Sequence, residues 1–199
     1  MTVIARRSVL AGAGAAAVAT LAAVALLRKP AGPQVFALRP DTTPERVHLQ
    51  AISALRPTDP PRPLPPIGYL DAGGAPHTLA EFAGRGIVLN LWATWCPPCV
   101  AEMPALAALA AAGGADFVVL PLSSDHGGAA TVSDFYRAHG IAGLPVVLDP
   151  EARATEALGA RGLPTTLLID RTGRERARLE GAADWAAPAA RDAILRLLG

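Results

Sequence analysis

The residues with the most evident chemistry are Cys96 and Cys99, the only two cysteines in the 199-residue chain. They enclose Pro97 and Pro98 and follow Trp95. A Cys-x-x-Cys pair that opens a helix lies where the first backbone N–H groups are unpaired and the helix dipole is positive. Both effects favour the thiolate, which is the form that attacks a disulfide. Cys99, one turn later, is then close enough to resolve a mixed disulfide, so the pair predicts thiol–disulfide exchange.

Two other interpretations of the cysteine pair are half of a metal site and two inert core cysteines. A structural zinc site needs four Cys or His ligands. The histidines are scattered along the chain and none is at ligand spacing from another: His48, His77, His126 and His139. We therefore expect redox chemistry and no bound metal.

The elements that position the cysteines are predicted from apolar patterning. Residues 87–92 form a nearly continuous apolar run, which is typical of a strand buried on both faces. Residues 98–112 indicate a helix that ends at Gly113 and Gly114. Cys96 is thus expected between a buried strand and the start of a helix.

A second candidate feature is Pro164, which precedes an apolar strand predicted over residues 165–169. Within sheets, proline is confined to strand starts, edges and bulges. If its peptide bond is cis, Leu163 is forced into a tight bend that leaves its backbone polar groups free to bind an extended peptide by strand addition. The alternative is an ordinary trans proline that opens a strand.

The rest of the pattern alternates between strands and helices. Further strands are predicted over residues 67–71, 76–79, 117–122, 145–148 and 175–179, and helical segments over 79–83, 132–139, 151–158 and 188–198. Gly73 and Gly74, between the first two strands, indicate a hairpin. Strands that alternate with helices and then end in a hairpin and a helix predict an α/β fold with mixed strand directions.

The N-terminus has the features of a targeting segment. Arg6 and Arg7 precede a charge-free run over residues 9–27, and a helix needs about 20 residues to cross a bilayer. We expect residues 1–29 to be an uncleaved signal anchor that holds an exported domain in the inner membrane. The alternatives are a cleaved secretory signal and a twin-arginine signal, which residues 5–10 resemble.

Residues 30–65 are predicted to link this segment to the main domain, which spans 66–199. Thr42 and Glu45 have the spacing of a capping box, and apolar residues at 47, 51, 54 and 55 then recur at helical spacing. Residues 57–66 contain six prolines, which predicts an extended, semi-rigid spacer or, alternatively, a plain loop.

Composition excludes several classes of protein. With 51% hydrophobic and 18% charged residues, the bulk of the chain is not intrinsically disordered. Residues 1–39 carry five positive charges and no acid, whereas the remainder carries 13 positive and 17 acidic residues. The main domain therefore has no surplus of basic residues to neutralise phosphates, and we expect no nucleic-acid binding.

Residues 66–199 resemble the thioredoxin superfamily and, within it, the TlpA/ResA-like membrane-anchored periplasmic thiol-disulfide oxidoreductases, TlpA most closely. Residues 90–104 are similar to the subfamily signature almost throughout, and residues 162–165 resemble its cis-proline loop. Residues 181–185 resemble a stretch near the end of TlpA, with Asp184 in place of Glu. The resemblance implies a thioredoxin fold with an N-terminal β-hairpin and an extra strand–helix insert between Val132 and Leu158.

The resemblance also implies roles for individual residues. Cys96 is the nucleophile, Cys99 is the resolving thiol, and Pro164 is cis. Substrate is expected to contact Trp95, Pro97, Leu163 and Pro164. We further expect Trp95 to pack over the site, and Trp92 and Trp185 to be plain core residues.

Glu102 is the third expected catalytic residue. Ordinary thioredoxins carry a buried Asp six residues before the first cysteine, but here that position is Asn90, which cannot accept a proton. In the subfamily, the resemblance implies, Glu102 is the substitute. A carboxyl in an apolar pocket has a raised pKa and can act as acid or base for Cys99. The alternative is a solvated carboxylate on the helix surface.

The expected function is that of an exported thiol-disulfide oxidoreductase whose Cys96–Cys99 disulfide is the redox centre, with no soluble cofactor. The resemblance implies a monomeric reductant of protein disulfides. Its expected targets are apocytochrome c or the copper-site assembly proteins of cytochrome oxidase, and a membrane electron donor of the DsbD/CcdA type would recharge it. The alternatives are a protein-disulfide oxidase, a copper or zinc carrier, and a thiol peroxidase.

Overall fold

The structure is a computed structural model that describes residues 47–199. Its strands are β1 (Arg56–Pro63), β2 (Gly68–Leu70), β3 (Pro76–Thr78), β4 (Gly86–Trp92), β5 (Phe117–Ser123), β6 (Val147–Leu148), β7 (Thr165–Ile169) and β8 (Arg174–Glu180). Its α-helices are α1 (Pro97–Gly113), α2 (Gly128–Ala138), α3 (Arg153–Ala157) and α4 (Pro188–Leu198), with 3₁₀ turns over Ile52–Ala54 and Leu79–Phe82. All eight strands form one sheet in the order β1-β8-β7-β4-β5-β6-β2-β3.

Strand β4 is the centre of the sheet and is buried at every position. It pairs in parallel with β5 and antiparallel with β7. Because side chains alternate along a strand, Val88 and Trp92 face α1, α2 and α4. Ile87, Leu89 and Leu91 face α3 and the second 3₁₀ turn. Both faces are therefore covered, which explains the nearly continuous apolar run.

The order of the elements confirms the predicted thioredoxin fold. The unit β4-α1-β5 is followed by β7-β8-α4, and the hairpin β2–β3 precedes both. Between β5 and β7 the chain adds β6 with a helix on each side, where the strand–helix insert was expected. The strand predicted over 145–148 is shorter in the structure: β6 is two residues long, because it pairs with β5 only at Val147 and Leu148.

The proline-rich residues 57–66 are not a free spacer, because most of them belong to edge strand β1. This strand pairs antiparallel with β8, with a register irregularity between Pro57 and Arg62. An edge strand tolerates proline because it uses only one side for the hydrogen-bond ladder. Thr58 and Arg62 also bond the buried carboxylate of Glu175. The sheet thus begins at residue 56, ahead of the domain start predicted at residue 66.

The helix expected around residues 47–55 is also wrong. Only Ile52–Ala54 form a 3₁₀ turn, and Gln50 is instead paired in a parallel bridge with Ala183. The predicted capping box at 42–45 and the predicted anchor at 9–27 lie outside the described residues. Within residues 47–199, no helix has both the length and the apolarity of a membrane span.

Candidate active site

The two cysteines lie at the start of α1, as the sequence predicts, and are joined in a disulfide with their Cα atoms 5.3 Å apart. Cys96 is the N-cap residue, and Pro97 and Pro98 occupy the first two helical positions. Since proline has no N–H group, the first helical donor is the N–H of Cys99, which donates to the Sγ of Cys96 at 3.3 Å. In the reduced protein this donor and the helix dipole would both favour a negative charge on that sulfur.

The two sulfur-bearing residues differ in their access to solvent. Cys96 is 5% exposed, whereas Cys99 is fully buried. A partner cysteine can therefore reach Cys96 and not Cys99. The asymmetry suits an attacking residue followed by a shielded resolving residue.

The loop that leads into Cys96 is held by Asp125, which sequence reasoning missed. Thr94 donates to this carboxylate from its backbone N–H at 2.9 Å and from its hydroxyl at 2.7 Å. The parallel pairing of Trp92 with Ser123 places Asp125 at the same end of the sheet as the cysteines. Nothing in the local sequence distinguishes Asp125 from a loop acid, because its role depends on the neighbouring strand.

Trp95, which was expected to pack over the site, is 66% exposed, so most of its surface is open to solvent. The residues on either side are held inward, Thr94 by Asp125 and Cys96 by its backbone bond to Ala93. This exposed apolar side chain directly precedes Cys96 in the chain. Among the described residues it is the only large apolar side chain that is exposed.

The loop before β7 lies at this same end of the sheet, because Leu91 pairs with Thr165. The peptide bond between Leu163 and Pro164 is cis. The carbonyl of Pro164 accepts from Gly181, and that of the residue before Leu163 accepts from the Thr165 hydroxyl. No residue within 47–199 hydrogen-bonds the backbone N–H or C=O of Leu163. These are the free polar groups that the sequence analysis expected at this bend.

Glu102 lies one helical turn beyond Cys99 and is fully buried, so the alternative of a solvated carboxylate is wrong. Its Oε1 accepts from the Asn90 side-chain amide at 2.8 Å. Its Oε2 accepts from the Ala183 backbone N–H and from the Trp185 indole N–H, both at 2.9 Å. The carboxyl is thus held by three donors from two separate parts of the chain.

Burial raises the pKa of Glu102 to about 7, and the three hydrogen bonds oppose that rise because they favour the charged form. Near neutral pH the carboxyl is therefore present in both protonation states. It can accept a proton or release one at a point along α1 where only Cys99 and apolar residues are its buried neighbours on the helix.

Two tryptophans were predicted to be plain core residues. Both are buried, which confirms the packing. Trp92 stacks on Tyr136 and donates to the Pro121 carbonyl at 3.1 Å. Trp185 has the additional contact to Glu102, which the sequence analysis did not assign. The resemblance at residues 181–185 marked the stretch, but only the fold brings its indole N–H to the carboxyl.

The described part of the chain contains no group of three or more His, Cys, Asp or Glu side chains that could hold a metal ion.

We expect the free energy of unfolding of the oxidised protein to fall, relative to a Glu102→Gln variant, as the pH rises from about 4.5 to about 7. The folded protein holds the Glu102 proton up to its raised pKa, whereas an unfolded glutamate loses it near pH 4.5. The stabilisation is therefore complete below about pH 4.5 and is lost by about pH 7. The loss is about 1.4 kcal/mol per pH unit, or about 3 kcal/mol in total.

Urea unfolding at several pH values, with the disulfide intact so that the cysteines do not titrate, measures this difference. Leu106→Ala truncates a buried side chain on the same helix and is the control. It should lower the free energy of unfolding by a similar amount at each pH. A constant difference between wild type and Glu102→Gln would contradict the raised pKa.

Curated relatives with matching sequence include the thiol-disulfide oxidoreductase ResA of Geobacillus thermodenitrificans, 32% identical over 114 residues, which are 56% of this chain and 63% of that protein. ResA of Bacillus subtilis is 32% identical over 107 residues, which are 52% of this chain and 58% of the relative. The matches thus span less than two thirds of the length of these relatives.

Solved structures with the same fold include the exposed lipoprotein thioredoxin of Streptococcus pneumoniae, with a TM-score of 0.56 and 28% identity over 67% of this chain and 98% of that one. A putative thiol:disulfide interchange protein DsbE of Chlorobium tepidum has a TM-score of 0.61 and 26% identity over 70% and 97% of the two chains. The Redoxin family model matches residues 59–194, which include every site residue described above. The chain therefore belongs to the Redoxin family.

Proposed function

We propose that this protein is a thiol-disulfide oxidoreductase that exchanges its Cys96–Cys99 disulfide with cysteines of partner proteins. The observation that carries the proposal is the placement of Cys96 as the N-cap of α1, with the Cys99 N–H on its sulfur and Cys99 buried behind it. The relatives named above as thiol-disulfide oxidoreductases and as an interchange protein support it.

In the reductive direction the Cys96 thiolate attacks one sulfur of a substrate disulfide. A bond forms between Cys96 and that sulfur, and the other substrate sulfur leaves as a thiolate. Cys99 then gives its proton to Glu102 and attacks the Sγ of Cys96. The Cys96–Cys99 disulfide forms and the second substrate thiolate leaves, so two electrons pass from the dithiol to the substrate.

The substrate segment would bind beside the disulfide as an extended peptide. The free backbone groups of Leu163 offer one donor and one acceptor for strand addition. Trp95 offers exposed apolar surface, and Pro97 is exposed next to Cys96. These residues form the proposed substrate surface, whereas Pro164, which was also expected to contact substrate, is itself buried.

For the biological role we propose a reductant that acts on apocytochrome c or on copper-site assembly proteins and is recharged by a membrane donor of the DsbD/CcdA type. The resemblance of residues 90–104 and 181–185 to the TlpA/ResA-like proteins supports this role. A reductant of protein disulfides is needed where disulfide formation is the default, which is outside the cytoplasm.

Replacement of the two cysteines should have different effects. Cys96→Ser should abolish disulfide exchange, because the attacking sulfur is gone. Cys99→Ser should form a mixed disulfide with substrate that persists, because the resolving sulfur is gone. Non-reducing electrophoresis and mass spectrometry of each variant with a disulfide-bonded peptide measure both effects. Retained exchange in Cys96→Ser, or trapping by that variant, would refute the proposed mechanism.

The direction of electron flow should follow from the reduction potential of the Cys96–Cys99 pair. A reductant is expected near the thioredoxin value of about −270 mV. A value near about −120 mV would instead assign the protein as a protein-disulfide oxidase. Equilibration of the full-length protein with dithiothreitol or glutathione buffers of known potential, followed by alkylation, measures it.

We also propose that residues 9–27 anchor the protein in the inner membrane with the redox domain in the periplasm. The length and apolar character of that run support the anchor. Fractionation of cells that express the full chain should recover the protein with membranes after a high-salt wash. Recovery of a shortened soluble protein would instead indicate a cleaved secretory or twin-arginine signal.

A further inference from the structure

The loop of residues 181–185, which follows β8, supplies both donors to the Oε2 of Glu102. It has no ladder of its own to hold it, since β8 ends at Glu180 and α4 begins at Pro188. Its direction therefore depends on the long-range contacts of its backbone. One is the Gly181 N–H bond to the Pro164 carbonyl at 2.8 Å. Apart from the Ala183 bond to Glu102 itself, the others come from Gln50.

Gln50 makes three hydrogen bonds to this part of the chain. Its backbone N–H donates to the Ala182 carbonyl at 2.8 Å, and its carbonyl accepts from the Asp184 N–H at 3.0 Å. Its side-chain amide donates to the Glu180 carbonyl at 2.8 Å. Gln50 thus bonds Glu180, Ala182 and Asp184, and its two backbone bonds form the parallel bridge with Ala183.

The geometry of that bridge determines where the Ala183 N–H points. In extended backbone the polar groups of successive residues point to opposite sides. Ala182 and Asp184 bond Gln50 on one side, so the N–H of Ala183 faces the other side, where Glu102 accepts it. Because Gln50 fixes the backbone groups of Ala182 and Asp184, it also fixes the direction of the Ala183 N–H between them.

Because Gly181 has no side chain, the Gln50 side chain can occupy the space beside it. A Cβ at Gly181 would lie 2.4 Å from the Gln50 Nε2, and the residue has φ of +96°, which favours glycine. The loop and the side chain therefore fit each other closely. The bond to the Glu180 carbonyl depends on a residue without a side chain at position 181.

The groups that face Glu102 are uncharged on every element packed against it. They are Asn90 on β4, with Thr166 on β7 bonded to the same amide, and Ala183 and Trp185 in the loop. Cys99 is the titratable group on its own helix when reduced. Asp184 in the loop is exposed, and Glu180 is paired with Arg161. The donors in the loop are therefore the main means by which the surroundings favour the charged carboxyl.

We infer that Gln50 is a positioning residue for Glu102: it holds residues 181–185 so that Ala183 and Trp185 donate to the carboxyl. The segment around Gln50 is thereby part of the redox machinery and not only a connection to the N-terminal segment. The consequence for thiol exchange rests on the proposed role of Glu102 as the proton acceptor for Cys99. The positioning itself can be tested without that role.

The test is a titration of Glu102 in the oxidised full-length protein by infrared difference spectroscopy, with Glu102→Gln to assign the carboxyl signal. Gln50→Pro removes the backbone N–H that donates to the Ala182 carbonyl and the side-chain amide that donates to the Glu180 carbonyl. Gln50→Met removes only the amide and shows how much of the effect comes from the Glu180 bond. Looser donors favour the charged carboxyl less, so the midpoint should rise by about 0.5–1 pH unit from its wild-type value.

Arg174→Ala is the matched control. It also removes hydrogen bonds from a side chain to a backbone carbonyl. These are the bonds of the Arg174 guanidinium to the Pro61 carbonyl, on edge strand β1. It should leave the Glu102 midpoint in place even where it lowers stability. An unchanged midpoint in Gln50→Pro, or an equal shift in Gln50→Pro and Arg174→Ala, would overturn the inference. Failure of the oxidoreductase proposal would show separately, as retained exchange in Cys96→Ser.

Discussion

The arrangement of the site depends on the burial of one carboxyl, Glu102, in the middle of an apolar core. An isolated charge there is costly unless hydrogen bonds compensate for the water it has lost. Three donors provide that compensation, from Asn90 on the central strand and from Ala183 and Trp185 in the loop after β8. The carboxyl therefore joins α1 to the sheet and to the C-terminal loop, and it couples the packing of these elements to the protonation state of a group one turn from Cys99.

The sheet brings these parts together through its pairing. The carboxyl end of β4 carries the cysteines, its parallel neighbour β5 ends next to Asp125, and its antiparallel neighbour β7 begins just after Leu163 and Pro164. Strand β8 returns to the same end, because Glu180 pairs with Thr165. Residues from four separate stretches of sequence thus meet at the same end of these strands. Alternation along β4 directs Asn90 toward α1, where it reaches Glu102.

Much of this could be predicted from local patterns, and the misses have a common cause. An apolar run predicts β4, and Gly113 and Gly114 mark the end of α1. The cysteine pair is likewise a local motif. The pairing of β1 and the bridge of Gln50 are not local. Each is determined by a partner more than 100 residues away in the chain, Glu175 in one case and Ala183 in the other. Proline content or helical spacing in the segment itself cannot reveal such a partner, because tertiary contacts override propensity.

Helix α1 places two ionisable groups in opposite environments within two turns. At its N-terminus, Pro97 and Pro98 offer no N–H, so the Cys99 N–H is left to the sulfur of Cys96, and the helix dipole favours a negative charge there. Farther along, burial raises the pKa of Glu102 to about 7 and favours the neutral acid. These opposite environments support the proposed roles of Cys96 as nucleophile and Glu102 as proton carrier. Solvent reaches Cys96, the proposed nucleophile, but does not reach Glu102, the proposed proton carrier.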